Sequence, residues 1–242
     1  LCGRLIDAVP EETRLDPRDF SYVIGACRLS EDRPWMLSMI PRELHYSTHP
    51  AVRSGTVGLD HTSRAWHKLR EVEQRGMVQW SSPKGTQQYA IDVGSAPGGW
   101  TEFLSGKFDR VISVDPGELH PKVLALENVT HMQCRIEDVL DEIDGLVCPI
   151  GGASMFVCAM NCDARQSLRI LSSLEPLAAP RATLILTLKM VEKGSKRAAT
   201  MADQCQLALR ERGYVDVRVV WLFANGRHER TLVAQFPTSP SP

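Results

Sequence analysis

Residues 92–100 read Asp-Val-Gly-Ser-Ala-Pro-Gly-Gly-Trp, set between the apolar run Tyr89-Ala90-Ile91 and a helical start at Thr101-Glu102-Phe103-Leu104. A turn built on Gly94, Gly98 and Gly99 lets backbone come close to a ligand, because no Cβ stands in the way. A helix beginning there directs its unpaired N–H groups and the positive end of its dipole at the same ligand. Further on, Val111-Ile112-Ser113-Val114-Asp115 reads as a second strand ending in a carboxylate. An acid at that place is positioned to accept hydrogen bonds from the two hydroxyls of a ribose. The two segments describe the nucleoside-binding first half of a doubly wound sheet.

The Gly-x-Gly-x-x-Gly spacing of a dinucleotide site is absent. A rigid Pro-Gly-Gly turn suits a ligand without a pyrophosphate, and S-adenosylmethionine has that shape: adenosine at one end, an amino-acid group at the other. Asp92, Gly94, Ser95, Ala96, Pro97, Gly98, Gly99 and Trp100 are then expected at the methionine end, with Asp115 on the ribose. The plainer alternative is a sharp strand-to-helix turn that holds nothing.

The elements around these residues alternate. Strands are expected at Tyr89–Val93, Arg110–Val114, Val129–Cys134, Ala153–Cys158, Ala182–Lys189, Val215–Leu222 and Glu229–Gln235. Helices are expected over Arg64–Arg75, capped by Thr62 or Ser63 and stopped by Gly76, from Thr101, over Asp163–Leu174, and over Ala199–Arg212, stopped by Gly213. The expected fold is α/β: a Rossmann-like, mostly parallel seven-stranded sheet with an antiparallel C-terminal edge strand. Residues 1–60, rich in proline, arginine and aromatics, read as an N-terminal extension packed on a main domain at 61–236, and 237–242 as a disordered tail.

Apolar residues make up 43% of the 242 and charged residues 24%, the balance of a globular protein rather than a disordered chain. No apolar run approaches the ~20 residues needed to span a bilayer, so no membrane partner is expected. Seven cysteines, an odd number without Cys-x-x-Cys spacing, point to a reducing compartment and no structural metal. The chain starts at Leu1, so the expected location is the cytoplasm, or a mitochondrion or plastid if a targeting segment has been trimmed. The net charge of −1 does not announce nucleic acid, but its distribution is uneven. Residues 113–144 carry eight acids against two bases, whereas 181–242 carry ten bases against five acids, leaving room for a basic face.

Ser63-Arg64-Ala65-Trp66-His67-Lys68-Leu69, upstream of the glycine turn, together with that turn, resembles the FtsJ-type (RrmJ-like) ribose 2′-O-methyltransferases over residues 60–236. Ile40-Pro41-Arg42 and Val157-Cys158-x-Met160 look most like the RlmM-type large-subunit rRNA branch. The resemblance implies an S-adenosylmethionine-dependent RNA methyltransferase, with ribosomal RNA or a pre-ribosomal particle as partner. It also implies a Lys-Asp-Lys-Glu tetrad, whose lysines fall on Lys68 and Lys189 and whose glutamate falls on Glu229. The aspartate position is Ala159. Arg135 stands where the family often has an acid near the adenine, with Glu137 or Asp138 as candidates for that role.

Methyl transfer to a ribose hydroxyl is an in-line displacement that needs the hydroxyl held, aligned and relieved of its proton. A solvated lysine is protonated at neutral pH, but burial beside another cation lowers its pKa, so Lys189 near Lys68 is the expected base. Three readings of Ala159 stand open. Asn161 or Asp163 substitutes, the chain is a catalytically silent RNA-binding or ribosome-assembly protein, or the aspartate was replaced to trap a complex. A small-molecule methyltransferase on the same fold is a further rival. The basic stretch 181–230 is the candidate RNA surface as a whole.

Overall fold

A computed structural model describes residues 21–27, 34, 36–41, 61–80, 87–160, 164–189, 195–226 and 229–238. It forms two units, Leu1–Thr56 and Val57–Pro242. In the first, β1 (Tyr22–Cys27) and β2 (Met36–Pro41) pair antiparallel, with Tyr22 opposite Pro41 and Cys27 opposite Met36.

The second unit runs α1 (Ala65–Gln74), β3 (Tyr89–Val93), α2 (Gly99–Ser105), β4 (Arg110–Val114), α3 (Pro121–Leu124), β5 (Val129–Met132), α4 (Leu140–Val147), β6 (Ala153–Cys158), α5 (Ala164–Leu174), β7 (Ala178–Lys189), α6 (Ser195–Glu211), β8 (Val215–Val220) and β9 (Glu229–Gln235). Its seven strands lie in the order β5-β4-β3-β6-β7-β9-β8. The pairs from β5 to β7 are parallel, and β9 is antiparallel to both of its neighbours. The mostly parallel α/β sheet is as expected. Its antiparallel strand lies one place in from the edge, which β8 occupies.

Apolar alternation assigns each strand residue to a face. Ile91, Val93, Phe156, Cys158, Leu184, Leu186 and Leu188 bury on one side, against Leu171 of α5 and Leu209 of α6. Ala90, Met155, Val157 and Ile185 bury on the other, against Leu69 and Val72 of α1 and Phe103 of α2. At ~25 cal/mol per Å2 such burial is the main source of stability. The face that meets α1 continues past the core. Counting by twos, Ala90 leads to Asp92, Val157 to Ala159, and Ile185 to Thr187 and Lys189. All of these come out at the carboxyl edge, where doubly wound sheets bind ligands.

Local details differ from the sequence reading. Neither Thr62 nor Ser63 caps α1: the cap is Arg64, without a side-chain bond, and the hydroxyls of Thr62 and Ser63 are buried without partners. Strand β5 stops at Met132, and β7 begins at Ala178, earlier than the apolar run alone suggests. Among the described residues, no helix is long and apolar enough to cross a membrane.

Candidate functional site

The turn after β3 forms as expected, for reasons that are partly internal. Gly94 takes φ +77°, and a Cβ there would lie 2.9 Å from the backbone of Met160. A Cβ on Gly99 would run into Ser63 Oγ and come within 3.1 Å of Trp66 N. These glycines therefore let the chain close on itself, so the sharp turn and room for a ligand are both served by the same residues. Ala96–Pro97 is a cis peptide. Trp100 Nε1 donates to Ala65 O at 2.6 Å, which fixes α2 against the start of α1. Asp115 accepts from Gly117 N at 2.6 Å through Oδ1 and from Ala96 N at 3.2 Å through Oδ2, so it clamps the turn from the neighbouring strand.

Beside the turn is a cavity of about 130 Å3 lined by Ser63, Lys68, Asp92, Gly94–Pro97, Trp100, Ala159, Thr187, Lys189 and Glu229. The sheet order explains this meeting. Asp92 is the last but one residue of β3, Ala159 follows β6, Lys189 ends β7, and Glu229 begins antiparallel β9, so adjacent strands deliver them to one edge. Lys189 and Glu229 are cross-strand partners. From α1, Lys68 Nζ donates to Glu229 Oε2 at 2.7 Å, with both side chains mostly buried. Gly226 N donates to the same oxygen at 2.9 Å.

Burial is the largest influence on Lys68 and pulls its pKa below the usual lysine range. The Glu229 carboxylate opposes that shift without cancelling it, and the charges of Lys189 and Arg64 add to it. For Glu229, burial alone would raise the pKa. The Lys68 ammonium, its hydrogen bond, the Gly226 amide and the Lys189 charge outweigh burial and hold the carboxyl low. Asp92 is fully buried, and its pKa is pushed up to about 7 by that burial and by the charge of Asp115, against the hydrogen bond from Thr101 Oγ1 at 2.7 Å.

Three buried side-chain oxygens in this lining lack partners: Ser63 Oγ, Asp92 Oδ1 and Thr187 Oγ1. Buried polar atoms are rarely left unsatisfied, so they mark a place shaped for a polar ligand. Ser63 and Thr187 were missed in the sequence. The available signal was that Thr187 lies two residues before Lys189, hence on the same face of the strand.

Gly98, Gly99, Asp115 and Asp138 lie outside this lining. Asp138 is exposed, at the end of a 3-10 turn over Ile136–Asp138. Asn161 and Asp163, considered as substitutes at the aspartate position, fall outside the described residues. Larger grooves of about 410 and 310 Å3 open around Arg181, near the start of β7 and far along that strand from Lys189. Neither holds a tetrad position.

The FtsJ-like methyltransferase family model matches residues 61–212. The chain belongs to that family. It is 33% identical over 158 residues to ribosomal RNA large subunit methyltransferase M of Thauera aminoaromatica, covering 62% of this chain and 38% of that protein. It is 32% identical over 156 residues to the protein of the same name from Azoarcus sp. (strain BH72), with the same two shares. The match thus spans well under half the length of these relatives. A solved protein from Lactococcus lactis, described as a candidate hemolysin, superposes with a TM-score of 0.58 at 18% identity, covering 74% of this chain and 89% of that one. That likeness speaks for the fold alone.

Proposed function

We propose that residues 61–236 form the catalytic domain of an S-adenosylmethionine-dependent RNA ribose 2′-O-methyltransferase acting on ribosomal RNA, with residues 1–60 as an N-terminal extension. The observation that carries the reading is the meeting of Lys68, Lys189 and Glu229 beside the Gly94–Trp100 turn, in a cavity with unsatisfied polar atoms. Family membership and the rRNA methyltransferases it resembles support the same reading.

S-adenosylmethionine would supply an electrophilic methyl on a sulfonium. Asp92 Oδ1, facing the cavity without a partner, is an acceptor for the donor's ammonium group, and Ser63 and Thr187 offer hydroxyls. Asp115, besides clamping the turn, keeps lone pairs on both oxygens for a ribose.

Burial first, and the nearby charges of Lys189 and Arg64 with it, hold the Lys68 pKa below the usual lysine range, so its ammonium loses a proton more readily than a solvated lysine would. The neutral amine would take the proton of the target hydroxyl while the oxygen–methyl bond forms and the methyl–sulfur bond breaks, the donor leaving as its neutral thioether. The remaining ammonium is balanced by Glu229, and the low pKa of that carboxyl keeps it ionised throughout.

Ala159 favours a second reading. It lies in the lining at the expected aspartate position and offers no carboxylate to orient the amines. In that reading the domain binds the donor and RNA but transfers slowly or not at all, and serves as an RNA-binding or assembly protein.

The test is transfer of labelled methyl from S-adenosylmethionine to ribosomal RNA, followed by nucleoside analysis. A 2′-O-methylated nucleoside absent from a Lys189→Met control supports the enzymatic reading. Label on a base excludes 2′-O chemistry, and RNA binding without label favours the silent reading.

A further inference from the structure

The segment joining β8 to β9 carries two large aromatic rings on the surface. Trp221 is 49% exposed and Phe223 57% exposed, while Leu222 between them is fully buried and anchors the loop. The rings meet edge to face, with centroids 5.5 Å apart. Other large exposed apolar residues described in this unit, Leu124 and Leu207, are aliphatic and lie on separate helices.

The loop is held by α1 and the residue that follows it. Glu71, itself nearly buried, accepts from Phe223 N and Ala224 N at 3.0 Å each. Arg75 donates through Nη1 to Trp221 O at 3.2 Å, pairs with Glu71 through Nη2, and places its guanidinium 5.4 Å from the Phe223 ring centre. Rigidly held aromatic faces in water lose the burial that normally stabilises such side chains. A cation beside them makes the patch suited to a π-system carrying negative charge nearby, which is the chemistry of a nucleotide.

The position of the patch ties it to methyl transfer. Lys68, Glu71 and Arg75 recur along α1 at helical spacing, so one stripe carries the cavity amine, the loop anchor and the cation. At 1.5 Å rise per residue, Arg75 lies about 10 Å along the axis from Lys68. The same segment includes Gly226, whose amide holds the Glu229 carboxylate that pairs with Lys68.

We infer that Trp221, Phe223 and Arg75 form a stacking platform for a nucleobase of single-stranded RNA, flanking the nucleotide presented to the Lys68–Lys189 cavity. This rests on the RNA-modifying reading above and adds a binding site to it. The platform positions substrate and takes no part in the chemistry.

The experiment measures affinity of the full chain for a fluorescent single-stranded RNA oligonucleotide by anisotropy, and affinity for S-adenosylmethionine by calorimetry. The variants are Trp221→Ala, Phe223→Ala, the double variant and Trp221→Phe. Each alanine variant is expected to weaken RNA binding roughly tenfold, as loss of one stacked base does. Trp221→Phe should retain most of the affinity, and donor affinity should stay at the wild-type value throughout. RNA binding by the wild type that the double variant leaves unmoved overturns the platform while the RNA reading survives. A wild type that binds the donor but no RNA overturns both. Loss of self-association or of melting temperature in the double variant, with RNA affinity intact, reassigns the patch to protein contacts and overturns the platform.

Discussion

Lys189 and Glu229 stand opposite each other across the antiparallel pairing of β7 and β9, and Lys68 reaches the same carboxylate from α1 at 2.7 Å. Glu229 thus holds Lys68 directly and also feels the charge of Lys189. Glu229→Gln removes the influence that raises the Lys68 pKa while leaving burial and the Lys189 charge in place. The acid limb of the pH–rate profile for methyl transfer should therefore move to lower pH. An unmoved or alkaline-shifted limb would separate Glu229 from the amine titration.

Lys189→Met should keep the apolar stem and remove the amine. Loss of a positioned acid–base group typically costs 100- to 10,000-fold in rate. The expected result is a fall of at least about 100-fold in turnover, with donor affinity changed less than about threefold. Comparable losses in turnover and donor affinity would make the residue a binding group.

Ala159→Asp restores a carboxylate to the cavity lining. If the chain is silent for want of an orienting acid, single-turnover transfer to RNA should rise by several orders of magnitude, the scale on which members of a catalytic unit act. If the wild type already turns over well and the substitution changes little, Glu229 orients both amines unaided.

Asp92 is raised from its ordinary value to about 7, so the folded state holds its proton where the unfolded chain has released it. Its contribution is fully present below about pH 4, fades as pH rises toward 7, and leaves a buried charge above that. Asp92→Asn should flatten the fall in melting temperature between about pH 4 and 7 and weaken S-adenosylmethionine binding at neutral pH. An unchanged slope would show that the carboxyl titrates normally.

Gly94→Ala combines a positive φ with a Cβ placed against the Met160 backbone, which cannot swing aside as a side chain would. Left-handed strain and overpacking together should cost about 2–4 kcal/mol, read as a lower denaturation midpoint. A cost near zero would show that the Met160 segment yields easily.

Much of this arrangement was legible because the strands announce themselves. Tyr89–Val93, Arg110–Val114, Ala153–Cys158 and Glu229–Gln235 form as read, their apolar residues needing a buried pleated surface. Helix α4 was missed because Asp141, Glu142, Asp144 and Gly145 give Leu140–Val147 the look of an acidic loop, although Ile143 and Val147 bury against the core. Helix α3 is one turn beginning at Pro121, too short to show a period. The tetrad positions came from resemblance, and their meeting depends on sheet order, which periodicity alone does not supply. Thr187 escaped notice because threonine is an ordinary strand former, and Ser63 because it reads as a helix cap.

Strand β9 comes after the other six strands of its sheet in chain order, yet it slots between β7 and β8, and its first residue is the acid that holds Lys68. A nascent chain halted before Glu229 would already contain the glycine turn and both lysines, but its amines would lack their counter-ion. The lysine pair therefore gains its counter-ion only when β9 inserts between β7 and β8, after both amines and the glycine turn are already present in the chain.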